Sequence, residues 1–251
     1  MPKYLRFHAT RRTFLPLTAA LLAALLAACA PLSGMLPGAS PEAAPPSAAA
    51  ATVPPDAWLD QARAARRQVL RIDTATSLIA VTVRRGGALA RLGHDHVIAT
   101  RGLSGWAVPA AGAKPGRTSF SFRLDQMIVD DTELRAVAGL NTVPSADAIS
   151  GTRNNMLVKV LDAEQYPEVR VVADTTGPGA PLETAITLHG VTRHYAVPAT
   201  LSASGGRVTA SGTVQLKQSD FGIKPFSVLG GALAVQDEME LRFEISAVKA
   251  R

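Results

Sequence analysis

Glu238 to Ile245 reads EMELRFEI, and every second residue in it is apolar. Met239, Leu241, Phe243 and Ile245 fall on one side, and Glu238, Glu240, Arg242 and Glu244 on the other. A strict period of two places successive side chains on opposite faces of an extended strand, so one face is buried and the other wet. The same alternation recurs at Ile79, Val81 and Val83, at Phe120, Phe122 and Leu124, and at Leu182, Thr184, Ile186 and Leu188. It predicts further strands over 96–108, 168–176, 195–203 and 207–217, divided by glycine pairs such as Gly86-Gly87 and Gly205-Gly206. No alternation of strand with helix supports a parallel sheet. Many antiparallel strands with one wet face must either close into a barrel or pack in two layers. The expectation is an all-β, lipocalin-like antiparallel barrel of about eight strands, with a two-sheet sandwich as the alternative. Two segments break the period: a helical turn over 131–139, and a helix over 151–163 in which Met156, Leu157, Val160 and Leu161 recur at helical spacing. These form a helical insertion.

The N-terminus has a different logic. Residues 1–28 combine a basic start, a short apolar run and small residues before Cys29, which is the pattern of an export signal. Leu26-Ala27-Ala28-Cys29 resembles a bacterial lipobox, in which the cysteine is lipidated and becomes the first mature residue. Arg11 and Arg12, within Thr10–Leu15, resemble the twin-arginine export motif. Residues 29–55 then read as the lipidated cysteine and an Ala/Pro-rich linker, 56–68 as a short helix and 69–251 as the barrel domain. These features imply a cell-envelope lipoprotein facing the periplasm and anchored in the outer membrane. Cys29 is the only cysteine, so no disulfide can form within the chain.

Charge excludes one function class. The formal balance is +6, but Lys3, Arg6, Arg11 and Arg12 supply most of it, leaving about +2 elsewhere. A nucleic-acid footprint needs a clustered basic face, and none is legible. No nucleophile elbow, metalloprotease pattern or cysteine pair marks a reaction, so the chain is read as non-catalytic, with no cofactor.

Four stretches resemble the YceI-like family of exported bacterial proteins. They are Leu70-Arg71-Ile72-Asp73 with Ser77, then Tyr166-Pro167, then Leu188-His189-Gly190-Val191-Thr192-Arg193, and finally Ser219-Asp220-Phe221-Gly222-Ile223. The resemblance runs from about Leu70 to the C-terminus. It implies a barrel that binds or carries an isoprenoid or another long amphiphile, without catalysis. There are departures. Thr76 precedes Ser77 where the family has a histidine, and Thr152-Arg153-Asn154-Asn155-Met156 replaces its arginine–aspartate–histidine run. The small residues Ala210 and Gly212, in line with Val208, Val214 and Leu216, leave room inside.

The densest polar cluster is Arg91–Ile98, RLGHDHVI. In an extended chain His94 and His96 share a face. They can satisfy the backbone or Asp95, or grip a ligand headgroup together with Arg91. Phe226 is a candidate contact for the ligand tail. A metal held by the His94/His96 region is a weaker alternative, because a zinc site needs three or four ligands. The remaining alternative is a structural or interaction barrel with a filled core.

Overall fold

The computed structural model describes residues 57–177 and 179–250. The export signal, Arg11 and Arg12, Cys29 and the linker lie outside the described residues. A short helix, α1 (Ala57–Ala64), comes first and buries Leu59 and Ala62. The strands β1 (Leu70–Ile72), β2 (Leu78–Gly86), β3 (His96–Thr100), β4 (Ser104–Val108), β5 (Gly116–Arg123) and β6 (Ile128–Val129) follow. The helical insertion comprises α2 (Thr132–Val137) and α3 (Ala146–Asn154), and a single π-helical segment, Asn155–Val160, extends α3. The chain then returns to strands: β7 (Glu168–Thr175), β8 (Leu182–Leu188), β9 (Val191–Val197), β10 (Thr200–Ser204) and β11 (Arg207–Lys217). The last are β12 (Ser227–Val228) and β13 (Leu233–Lys249).

All pairings are antiparallel and join one sheet of thirteen strands, in the order β6-β3-β2-β13-β1-β4-β5-β7-β8-β9. β13 is its spine. One edge pairs with β11 over eleven residues, Lys217↔Glu238 to Arg207↔Val248. The other edge is shared, with β2 along the first half and β1 along the last three residues. Ser77, fully buried, ties the two arms together by accepting from the Ser246 backbone N–H at 3.0 Å.

The sheet does not close, which corrects the barrel expectation, its count of about eight strands and the lipocalin-like shape. β9 pairs only with β8, and β10 only with β11. The reason lies between them. Pro198 has no N–H to give a ladder, and β9 stops before it. Its carbonyl oxygen lies against Gly212, where a Cβ would clash, so β9 and β11 meet there without a ladder between them. Side chains bridge the gap instead. Arg193 Nε donates to the Asp220 carbonyl at 2.6 Å, and the Tyr195 hydroxyl donates to Asp220 Oδ2 at 3.1 Å. Burial and the acceptor Asp220 together raise the Tyr195 pKa to about 12, so this donor stays protonated at neutral pH. The two-sheet alternative also fails, because a single hydrogen-bonded sheet contains every strand.

Two further strand expectations needed division. The run 96–108 is two strands separated by Arg101-Gly102-Leu103, and 195–203 is broken at Pro198-Ala199. The helical insertion is present as expected, but its second helix runs from Ala146 to Val160 rather than over 151–163. Asp131 caps α2 by accepting from the backbone N–H groups of Glu133 and Leu134, and Ser145 caps α3 through Ala148. Arg153 anchors the insertion by donating to the carbonyl oxygens of Met127 and Asp125.

Candidate functional site

Register defines two ends of the sheet. One end gathers Leu70, Val108, Arg117, Thr175, Leu182, Val197 and Lys249, and the other gathers Val83, Arg123, Glu168, Leu188, Val191 and Met239. The second end is a sealed floor. Phe221 is fully buried there, and Leu216, Ile223, Phe122 and Met156 join it in one core. The first end is hollow. A cavity of about 820 Å³ is lined by strands from β1 to β13 and reaches the β4–β5 loop, the start of the β7–β8 loop and β10. That volume is typical of a site for one small molecule, roughly 300–1,000 Å³.

The hollow has a simple origin in side-chain size. Ala107, Ala173, Ala210 and Ala247 line the cavity and leave room between its larger lining side chains, among them Phe120, Phe243 and Leu241. An inward alanine removes volume without adding a polar group, so the space left is apolar. Val208, Ala210 and Val214 line the cavity as their spacing predicts. Gly212 and Leu216 do not: Gly212 is covered by Pro198 and Phe243, and Leu216 is packed in the core. Among the described residues, the charged ones lining the cavity are Lys114 and Arg117, both on the β4–β5 side of its mouth. Arg117 is paired twice with Asp174, at 2.7 and 2.6 Å.

A second hollow, of about 480 Å³, adjoins the mouth between α1 and the β4–β5 loop. It shares Val108, Lys114, Arg117 and Thr175 with the main cavity, and α1 adds Trp58 and Gln61. Arg67, just after α1, straps this loop by donating to the carbonyl oxygens of Pro109 at 2.7 Å and Pro115 at 2.8 Å.

None of Arg91, His94, His96 and Phe226 lines either hollow. They lie at the floor end, where His96 pairs with Val83 across the sheet. His96 is buried, and its Nδ1 lies 2.6 Å from Asp130 Oδ2. An ionised carboxylate only accepts, so Nδ1 carries the proton. Asp130 Oδ1 in turn takes Arg135 Nη1 at 2.5 Å and the Val97 backbone N–H at 3.1 Å. Burial pushes the Asp130 pKa up, but the bonds from His96, Val97 and Arg135 outweigh it and hold the carboxyl below its ordinary value. Thr152, in the divergent run of the insertion, faces His96 Nε2 at 3.4 Å. His94 stands edge-on to His96, ring centres 6.2 Å apart, and its buried Nδ1 has no partner among the described residues. Asp95 bonds to the Arg85 backbone, which fixes the β2–β3 connection. Arg91 is exposed, and Phe226 is half-buried under Lys159 Nζ at 5.8 Å. No group of three or more His, Cys, Asp or Glu side chains converges on a metal-sized point among the described residues.

The family model described as the YceI-like domain matches residues 94–247. The chain belongs to the YceI-like family. The match begins at His94, so α1, β1 and β2 of this YceI-like protein lie before it. Among solved structures it is similar to BcnA of Burkholderia cenocepacia, at 18% identity and a TM-score of 0.52, covering 70% of this chain and 99% of that one. It is also similar to a polyisoprenoid binding domain from Saccharophagus degradans implicated in plant cell wall breakdown. That likeness has 11% identity and a TM-score of 0.50, covering 73% and 99% of the two chains. Both likenesses show the fold. No curated protein matches the chain. The YceI-like domain is a non-catalytic binding domain.

Three of the four family-like stretches converge on the floor. The Tyr166 and His189 rings lie 4.6 Å apart, and Gly190 leaves room that a Cβ would take from Tyr166, at 2.7 Å. Arg193 and Tyr195 reach Asp220 as described, and the Tyr195 and Phe221 rings lie 6.2 Å apart. The motifs therefore mark how the sheet is sealed. The residues that shape the mouth, among them Ala110, Ala113, Lys114, Arg117 and Thr175, belong to none of these stretches.

Proposed function

We propose that this YceI-like protein binds or carries an isoprenoid or another long amphiphile in the cell envelope. The observation that carries the reading is the large apolar cavity, open at one end and sealed at the other, with charge only at its rim. Each methylene of a chain drawn from water into such a space gains roughly 0.8 kcal/mol, so affinity needs few polar contacts. A flexible isoprenoid suits a hollow lined by alanine and valine among larger apolar side chains such as Phe120, Leu241 and Ile245. The likeness to a domain that binds polyisoprenoid supports the class of ligand. The filled-core alternative suits only the floor.

Extraction of the purified chain followed by mass spectrometry tests the reading, together with uptake of an isoprenoid quinone and a polyprenyl phosphate. The expected result is a bound or acquired lipid at one per chain. A chain that carries no lipid and takes up neither probe sinks the proposal.

Anchoring through Cys29 is part of the same reading. No helix among the described residues is long and apolar enough to cross a membrane. In this reading, attachment at an outer-membrane surface facing the periplasm rests on lipidation of Cys29, the residue that ends the lipobox-like run. The substitution Cys29→Ala is expected to move the protein from the membrane fraction to the soluble one; retention in the membrane places the anchor elsewhere.

A further inference from the structure

We propose that the amphiphile carries an anionic headgroup, such as a phosphate, seated in the hollow between α1 and the β4–β5 loop while its tail fills the cavity. The proposal rests on the lipid-binding reading and specifies its ligand. Every charged residue on the cavity lining is a cation, and both lie at the mouth. The adjoining hollow adds Arg67, so three cations and one carboxylate surround it. Arg117 and Asp174 neutralise each other through two short bonds. That leaves Lys114 and Arg67 as an uncompensated positive pair beside an apolar shaft.

Their partners differ in a telling way. Lys114 is exposed and makes no ion pair among the described residues. Arg67 spends Nη2 on two loop carbonyls, while its Nε is buried with no acceptor among the described residues. This Nε is covered and out of a ligand's reach, so an anion in the hollow meets the charge of the guanidinium rather than this donor, and that charge beside an apolar shaft favours a phosphate or carboxylate. Thr175 and Gln61 line the same hollow and can hydrogen-bond an anion. A neutral head, such as a quinone or an alcohol, offers these cations nothing comparable.

The arrangement also explains why the strap exists. Arg67 holds the β4–β5 loop against the segment that follows α1, so headgroup and loop share one guanidinium. Arg67 lies before the family-matched residues 94–247.

The test compares farnesyl phosphate, farnesol and inorganic phosphate by calorimetry on the full-length chain at low ionic strength. Farnesyl phosphate is expected to bind about tenfold or more tightly than farnesol, with the preference shrinking as salt screens it. Lys114 is exposed, so Lys114→Gln should keep the fold and reduce the preference. Charge reversal in Lys114→Glu should abolish it. Equal binding of the two prenyl ligands, or a preference that neither variant moves, overturns the headgroup assignment and leaves the cavity reading intact. Inorganic phosphate bound as tightly as farnesyl phosphate also overturns it, since the site then serves a free anion. If neither prenyl compound binds, the lipid-binding reading falls with it.

Discussion

Ala210→Trp is expected to weaken binding of a long isoprenoid about 100-fold while leaving the protein folded. Ala210 sits on β11 between Val208 and Val214, with its side chain in the cavity and half-buried. Its cross-strand neighbours are Leu201 and Ile245, which line the same space. An indole there displaces about four methylene equivalents of ligand tail, roughly 3 kcal/mol at 0.8 each, or about two powers of ten in affinity. Overpacking costs stability where atoms already fill the space, whereas here the new ring enters a void. Thermal unfolding should therefore stay at or above the wild-type temperature. Titration with a fluorescent isoprenoid reads the affinity. Undiminished binding would show that the tail lies elsewhere.

The largest effect on stability is expected at the other end. Asp130→Ala should cost about 3–5 kcal/mol, because it leaves Arg135 and His96 buried without their shared acceptor. Both side chains are enclosed, Arg135 5% and His96 10% exposed, and the Asp130 side chain is wholly covered. Asp130→Asn keeps the volume and the Oδ1 contact but loses the charge, and should fall between wild type and alanine. The effect has a pH signature. Asp130 has a folded pKa below its ordinary value, so its contribution is complete above the unfolded value near 3.9 and is lost as pH falls through the folded one. Urea unfolding should show the full difference between wild type and Asp130→Ala at pH 7 and a closing gap below about pH 4. A difference that stays constant down to pH 2 would mean that the carboxylate charge contributes little.

The two ends of the sheet explain what could be read from the sequence. β13 and β11 were legible because each has one wet face, and a period of two leaves no other solution. The boundaries at Arg101-Gly102-Leu103 and Pro198 were not, since short breaks inside apolar runs change the mean pattern little. Closure was misjudged for a related reason. Alternation specifies which face is buried, but whether the first and last strands meet depends on local events such as Pro198 against Gly212. RLGHDHVI attracted attention because histidine and aspartate bear chemistry. In the fold, His96 joins Asp130 and Arg135 from a segment some 35 residues on, a pairing that no local pattern announces. The cavity was harder still. It depends on small side chains set among large ones, and alanines at 107, 173, 210 and 247 look like any others in a chain rich in them. Lys114, at the mouth, is one lysine in a Pro/Ala/Gly loop.

Trp58 and Ala62 line the hollow beside the mouth, so α1 is part of the wall past which a ligand enters. That helix packs on a small cluster of its own, with Val108 and Trp106, apart from the main core. The wall beside the mouth is thus held by different contacts from those that hold the sheet, and a change there can alter how a ligand enters without altering the chamber that receives it.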